Sequence, residues 1–137
     1  MPVKTPEGKF IRRVNRLLPS DIYSEGMANP YRGGTPDRYY EGSRNCLWAE
    51  YKYNKTVPAH WRASDHITSL QKMWIARAQK NHIPVCIIAG FGSHAIVFVK
   101  PIQDYWDISY TREQVQEKML PIDDVAAFIT THCGVNE

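Results

Sequence analysis

Two carboxylates and a lysine are the residues of this sequence whose types and spacing could do chemistry together. Asp37 ends a Gly-Gly-Thr-Pro-Asp turn sequence, and Glu50 and Lys52 stand two residues apart in the segment that follows. If the two segments pair as neighbouring strands, the carboxylates of Asp37 and Glu50 approach each other. Carboxylates held close together repel, and each raises the other's proton affinity unless a cation joins them. Mg²⁺ prefers oxygen ligands and requires only one or two carboxylates, so we predict a divalent-cation site here.

A site of this kind has the parts that hydrolysis of a phosphodiester bond requires. A bound divalent ion polarises a phosphoryl oxygen and lowers the pKa of a water molecule. A fixed cation such as Lys52 stabilises the negative charge that develops in the transition state. The same residues also fit a structural role, because Pro-Asp is a common turn and an exposed Glu-Lys pair contributes little to stability.

The strand pattern places the charged groups on one face of a predicted hairpin. Residues 37–40 and 46–53 are predicted to be its strands, and residues 41–45 its turn. Residues 20–36 show no periodicity, so a loop is predicted there. Side chains alternate along a strand, and the second strand therefore divides into one face with Trp48, Glu50 and Lys52 and another with Leu47, Ala49, Tyr51 and Tyr53.

Two helices have clear sequence signals. The first is predicted to begin at Thr5 and Pro6 and to end at Pro19. The second begins with Thr68 and Gln71, which have the spacing of a capping box. Its predicted core-facing stripe consists of Leu70, Met73, Trp74 and Ala78.

The remaining elements complete a predicted α/β fold, a small mixed β-sheet flanked by helices. Strands are predicted at 85–89 and 95–99, with a turn between them and a short extended piece near 106–108. Helices are predicted near 111–118 and 122–132. We expect one domain over residues 1–137, with a core of about 5–100 and a helical C-terminal extension at 101–137.

The composition limits the possible functions but does not identify one. The 137 residues are 43% hydrophobic and carry a formal net charge of +3, which is compatible with a polyanionic partner but does not require one. The three cysteines form no CxxC pair, which argues against a structural zinc site or a disulfide framework. No segment has the apolar run of a signal peptide or a membrane helix. We therefore expect a cytoplasmic protein that does not act in a membrane.

Four pieces of the sequence together resemble a known nuclease superfamily. Gly34-Thr35-Pro36-Asp37, then the twelve residues 38–49, then Glu50-Tyr51-Lys52 resemble the G-x-P-D…E-x-K signature of the PD-(D/E)XK nucleases. The segment Ile67-Thr68-Ser69-Leu70-Gln71 is similar to the L-[ST]-x-x-Q segment of the VRR-NUC branch. Glu7, in the first helix, matches the acidic residue of that branch. The resemblance runs from Glu7 to about Val99.

This resemblance implies a fold and a set of roles. It implies a restriction-endonuclease-like core, with Asp37, Glu50 and the main-chain carbonyl of Tyr51 as ligands of Mg²⁺, for which Mn²⁺ can substitute. Lys52 would act on water or phosphate, Glu7 would be a supporting acid, and Gln71 a polar residue facing the site. The implied function is a DNA endonuclease, acting on branched or junction DNA as a homodimer, of bacterial or phage origin.

Other interpretations of these residues stay open at the sequence level. Glu7 could favour the positive end of a helix dipole, although it shares a stripe with the apolar residues of its helix. Gln71 could serve only as a cap. The basic residues Lys9, Arg12, Arg13 and Arg16 could contact phosphates or form a solvated face. An exposed tyrosine among Tyr39, Tyr40, Tyr51 and Tyr53 could stack on a base. A non-catalytic nucleic-acid-binding module and a purely structural protein are the alternative functions.

Overall fold

A mixed sheet of six strands organises the computed structural model, which describes residues 5–27 and 33–135. Its spatial order is β1-β2-β3-β5-β6-β8, and β3 and β5 are its parallel pair, while the other neighbours are antiparallel. Two short strands, β4 and β7, pair separately. The strands are β1 (Tyr23–Gly26), β2 (Arg38–Glu41), β3 (Cys46–Asn54), β4 (His60–Trp61), β5 (Val85–Phe91), β6 (His94–Phe98), β7 (Tyr110–Thr111) and β8 (Leu120–Pro121).

Helices cover both faces of this sheet. Leu47, Ala49 and Tyr51 of β3 share one core with residues of α1 and α4. The opposite face carries a second core, to which α2 and α3 contribute. The helices are α1 (Pro6–Arg16), α2 (Ser69–Lys80), α3 (Arg112–Lys118) and α4 (Ile122–Cys133). The predicted mixed sheet flanked by helices is confirmed, and so is the division of the β3 side chains between two faces.

The predicted helix starts are also confirmed. The Thr5 hydroxyl accepts a hydrogen bond from Gly8 N at 3.0 Å, as an N-cap does. At α2, Thr68 Oγ1 accepts from Gln71 N and Gln71 Oε1 accepts from Thr68 N, which completes the capping box. These signals are local, so they could be recognised without knowledge of the fold.

Three predictions about the elements were wrong. A strand, β1, lies inside the predicted loop 20–36. It gives no periodic signal in the sequence because main-chain pairing with β2 holds it and most of its side chains are exposed. Residues 28–32 of that loop lie outside the described part. The piece near 106–108 is not extended, and the strand β7 follows it. On α2, Leu70 and Met73 are 54% and 66% exposed. Ala78 of the predicted stripe is buried, and Trp74 packs against the second core. The buried residues of this helix are Ile75, Ala78 and Gln79, so the prediction was wrong for Leu70 and Met73.

The C-terminal segment is joined to the site-bearing hairpin in two ways. Ile129 and other residues of α4 lie in the same core as Phe10 of α1. Beyond α4, the carbonyls of Cys133 and Gly134 accept hydrogen bonds from the amides of residues 43–45, in the β2–β3 turn, at 2.9 to 3.0 Å. A Cβ at Gly42 would collide with this main chain, which explains the glycine. The turn of the hairpin is therefore held by residues 133–134.

The cysteines differ in burial: Cys86 and Cys133 are buried, whereas Cys46 is half-buried. Among the residues that the structure describes, no helix combines the length and the apolar character needed to cross a bilayer.

Candidate active site

Asp37 is fixed where β2 begins. Its Oδ2 accepts a hydrogen bond from the main-chain N–H of Tyr51 at 2.8 Å, and its own carbonyl accepts from Met27 N, also at 2.8 Å. The turn before it packs tightly on α2, because a Cβ at Gly34 would lie 2.6 Å from the carbonyl carbon of Leu70. Gly34 also has a φ of +94°, which favours glycine. The turn thus holds the Asp37 carboxyl beside β3.

Glu50 is the charged group that the sheet buries most deeply. It lies in the middle of β3, paired with Ile87 of β5, and it is only 2% exposed. Its Oε2 accepts hydrogen bonds, whereas its Oε1 is buried and accepts from no donor among the described residues. The Asp37 carboxyl is close enough to form a hydrogen bond with Glu50 when one of the two is protonated. A buried carboxyl oxygen without a partner costs free energy unless a cation or a water molecule satisfies it.

Lys52 and Gln71 close a small polar network around Glu50. Lys52 Nζ lies 3.3 Å from Glu50 Oε2 and also 3.3 Å from Gln71 Oε1. Gln71 Nε2 donates to Glu50 Oε2 at 3.1 Å. The Lys52 side chain is 19% exposed, so its ammonium group can still reach solvent or a ligand. Gln71 therefore caps α2 and also contacts both charged residues.

Glu7 lies in the first turn of α1. It is half-buried. Burial raises its pKa, the charge of Asp37 raises that pKa further, and Lys52 lowers it. Glu7 is thus close enough for the charges of both residues to affect its pKa, although the described contacts include no hydrogen bond between its carboxyl group and either residue.

The side chain and the main chain of Tyr51 face different surroundings. Its ring is buried on the far face of the sheet, and its hydroxyl lies 2.7 Å from the Tyr40 hydroxyl. Its N–H points to Asp37, beyond the last β2–β3 pair, Arg38 with Ala49. In a strand, the N–H and C=O of one residue point to the same side. The Tyr51 carbonyl therefore faces the side that Asp37 occupies.

The electrostatics of the carboxylates depend on burial and on each other. Burial, followed by the charge of Asp37, raises the pKa of Glu50 to about 8, although Lys52 opposes the shift. Burial also raises the pKa of Asp37, while the Tyr51 N–H and the Lys52 ammonium lower it. Near neutral pH the pair accordingly favours either a proton or a cation, as two carboxylates at one site do.

The oxygen atoms that the site offers determine which kind of ion it could hold. Within residues 5–27 and 33–135, no cluster of three or more His, Cys, Asp or Glu side chains is placed to bind a metal. The site instead offers the carboxylates of Asp37 and Glu50 and a main-chain carbonyl. An oxygen-only set with two carboxylates suits Mg²⁺, which retains several waters, better than it suits zinc.

A solved structure has a similar fold. Hjc, a Holliday junction resolvase from the archaeal hyperthermophile Archaeoglobus fulgidus, matches with a TM-score of 0.51 at 15% sequence identity. The match covers 86% of this chain and 97% of the resolvase. This chain shares the restriction-endonuclease-like fold. No protein-family model matches the sequence, and no curated protein is similar to it.

Within this resolvase-like fold, the basic face of α1 is only partly free. The Arg13 guanidinium donates to the Gly92 carbonyl at 2.9 Å and lies over the Phe10 ring, so its role includes packing. Lys9, Arg12 and Arg16 are exposed. The sequence predicted the capping box of Thr68 and Gln71, and the structure adds that the capped Gln71 side chain also contacts Glu50.

Proposed function

We propose that this chain is a metal-dependent nuclease that hydrolyses phosphodiester bonds in DNA. The observation that carries the proposal is the buried Glu50 carboxyl, which has one oxygen without a donor among the residues that the structure describes and lies beside both Asp37 and Lys52. A purely structural ion pair would leave that buried oxygen unsatisfied at a cost in free energy. A divalent cation between the two carboxylates would satisfy it.

Each residue then has a defined role. Asp37 and Glu50 would hold the cation, together with the Tyr51 carbonyl. When bound, the cation supplies Lewis-acid activation of the phosphoryl oxygen and a lowered pKa for water. Lys52 would donate to the attacking water or to a phosphate oxygen, where its fixed charge stabilises the transition state. Gln71 would keep Lys52 and Glu50 in position, and Glu7 would add a supporting carboxylate.

The substrate class follows from the fold neighbour and remains part of the proposal. The neighbour is a Holliday junction resolvase, so we infer that branched or four-way DNA is a better substrate than linear duplex. The combined cap-and-site role of Gln71 supports placement in the VRR-NUC branch of the PD-(D/E)XK superfamily. We also infer a homodimer, since two copies would place two sites on two strands.

Cleavage of labelled DNA tests this proposal. The protein is incubated with linear, flapped and four-way DNA in Mg²⁺, Mn²⁺, Ca²⁺ or EDTA, and the products are resolved on denaturing gels. We expect cleavage in Mg²⁺ and Mn²⁺, none in EDTA, and loss of cleavage in Asp37→Ala and Glu50→Ala. Asp104→Ala, which changes an exposed carboxylate far along the chain, is the matched control. Full activity of either site variant would overturn the assignment.

A non-catalytic binding module on the same scaffold is the competing function. It predicts that DNA binds equally in Mg²⁺ and in EDTA and that no metal supports cleavage. The same gels, combined with a binding titration, distinguish the two functions.

A further inference from the structure

Three aromatic rings and a guanidinium form a continuous strip on the sheet face that carries Glu50. The Tyr39 and Trp48 ring centroids lie 4.9 Å apart, and those of Trp48 and Trp74 lie 5.2 Å apart. The Arg77 guanidinium carbon lies 5.0 Å from the centroid of Trp74. The three rings are each only partly buried. We call Tyr39, Trp48, Trp74 and Arg77 the aromatic strip.

The aromatic strip lies directly beside the candidate active site. Trp48 precedes Glu50 by two residues on the same face of β3, a separation of about 7 Å. Trp74 follows Gln71 by three residues on α2, a rise of about 4.5 Å. Because Gln71 contacts Glu50 and Trp74 contacts Trp48, the helix and the strand meet in two successive pairs. One pair is polar and belongs to the site, and the next is aromatic.

The outer face of α2 extends this surface with uncovered apolar side chains. Leu70 and Met73 are 54% and 66% exposed, although their spacing is that of a core stripe. They lie next to the partly buried rings of the aromatic strip, and neighbouring exposed apolar side chains of this kind are typical of a surface that contacts a partner. Residues 69–80 contain no Asp or Glu, and Arg77 and Lys80 are exposed. The partner that fits is flat, apolar on its faces and negatively charged.

We propose that the aromatic strip binds the unpaired bases of a single-stranded DNA segment next to the bond that is cut. This inference rests on the proposed nuclease function and names the form of its substrate. Bases stack on aromatic rings and on arginine guanidiniums without regard to sequence, while nearby cations contact the phosphates. A strand that leaves a junction or a flap presents such bases, whereas the bases of a closed duplex are stacked on each other. A second copy of the chain would bring the same cations against each other, so the charge of α2 favours nucleic acid.

The test compares two oligonucleotides of equal length and charge. One is oligo-dT, and the other has abasic sites in place of its bases; both are titrated by fluorescence anisotropy in EDTA, so that no cleavage occurs. We expect the wild type to bind oligo-dT more tightly than the abasic strand. Trp74→Ala should weaken oligo-dT binding by about 5- to 150-fold for a lost stacking contact. Met73→Ser removes an exposed apolar contact beside the strip and should weaken oligo-dT binding by a smaller factor, while neither variant changes binding of the abasic strand.

Controls separate stacking from unfolding and from general charge. Tyr105→Ala removes an exposed ring elsewhere on the surface and should leave both affinities unchanged. Met73 is mostly exposed, so its substitution preserves the fold even if Trp74→Ala does not, and a thermal melt checks each variant. Equal binding of the two strands by the wild type, or unchanged oligo-dT binding in Met73→Ser and folded Trp74→Ala, would overturn the inference.

The outcomes also distinguish this inference from the nuclease proposal. If the protein cuts DNA in Mg²⁺ but does not prefer oligo-dT, the strip inference fails and the nuclease proposal stands. If oligo-dT binding depends on the strip but no metal supports cleavage, the nuclease proposal fails and the strip remains a binding surface. If Met73→Ser instead converts a dimer to a monomer in sedimentation without any change in affinity for oligo-dT, the strip is a protein interface and the inference is overturned.

Discussion

A sequence selected for stability alone would not retain a buried glutamate at position 50. A fully buried carboxyl with an unpaired Oε1 is destabilising, and a hydrophobic residue would pack among the neighbouring β5 side chains at lower cost. The nearby charge of Asp37 adds to the cost, because both raise the pKa of Glu50. Groups shifted in this way concentrate at functional sites. The proposed cation site would account for the energetic cost of burying Glu50.

The raised pKa gives a test that needs no substrate. In metal-free protein the folded state holds the Glu50 proton up to about pH 8, whereas the unfolded chain loses it near the ordinary value of 4.5. This contribution to stability is therefore complete below about pH 4.5 and is lost as the pH rises to about 8. We expect Glu50→Gln to be more stable than the wild type in EDTA at pH 8, by on the order of a few kcal/mol, and nearly equal at pH 4.5.

Urea unfolding at several pH values in EDTA measures this difference. Glu117→Gln, at an exposed position of α3, is the control and should follow the wild type. The same pH slope in Glu50→Gln and the wild type would contradict the burial of a protonated Glu50.

Lys52 should affect the rate more than the affinity. Its ammonium group is held by Glu50 and Gln71 but is still partly exposed. We expect Lys52→Ala to lower the cleavage rate constant by about 10²-fold or more, with little change in the dissociation constant for DNA in Ca²⁺. Single-turnover kinetics measures the rate, and Lys55→Ala, exposed just beyond β3, controls for general charge. An equal loss in the two variants would mean that Lys52 acts only as a surface cation.

The site residues differ in how far the sequence could predict them. Hairpin pairing and strand alternation were enough to bring Asp37 and Glu50 together and to place Lys52 on the same face, because these relations are local. The contact of Gln71 with Glu50 required the resemblance, since it joins residues from separate elements. The depth at which Glu50 is buried depends on β5 and α2 together, and no pattern within β3 encodes it.

At the scale of elements, the first turn of α2 has two separable functions. Thr68→Ala and Gln71→Ala each remove part of the capping box and should each lower the free energy of unfolding by about 0.5–2 kcal/mol. Only Gln71→Ala also removes the contacts to Glu50 and Lys52. We therefore expect similar melting temperatures for the two variants but a lower cleavage rate for Gln71→Ala alone. Equal cleavage rates for the two variants, at a temperature where both are folded, would mean that Gln71 serves only as a helix cap.

The errors of prediction at this scale have a physical reason. Helical periodicity shows that residues share a face, but the direction of that face is set by the surface on which the helix packs. On α2, the buried face includes Ala78 of the predicted stripe but continues through Ile75 and Gln79 instead of Leu70 and Met73, and only tertiary packing selects between these directions. The strand β1 was missed because main-chain pairing to β2 holds it and its side chains alternate too weakly to give a signal.

For the whole molecule, α4 is an integral part of the core. Ile129 is fully buried in the cluster that also contains Phe10 and Tyr51. We expect Ile129→Ala to lower the free energy of unfolding by about 2–5 kcal/mol, as truncation of a buried large side chain does. Urea denaturation measures the loss, and Thr131→Ala, at an exposed position of the same helix, should change stability by less than about 0.5 kcal/mol. A loss no larger than that of the control would place α4 outside the cooperative unit.

The bonds between the β2–β3 turn and residues 133–134 have a consequence for the timing of assembly. The turn amides find their acceptors at the far end of the described chain. A nascent chain that has not yet reached Gly134 lacks these acceptors, and the hairpin that bears Asp37 and Glu50 is then anchored at its strands alone. A chain emerging from the ribosome thus acquires a fully braced pair of carboxylates only after residues 133–134 have been made.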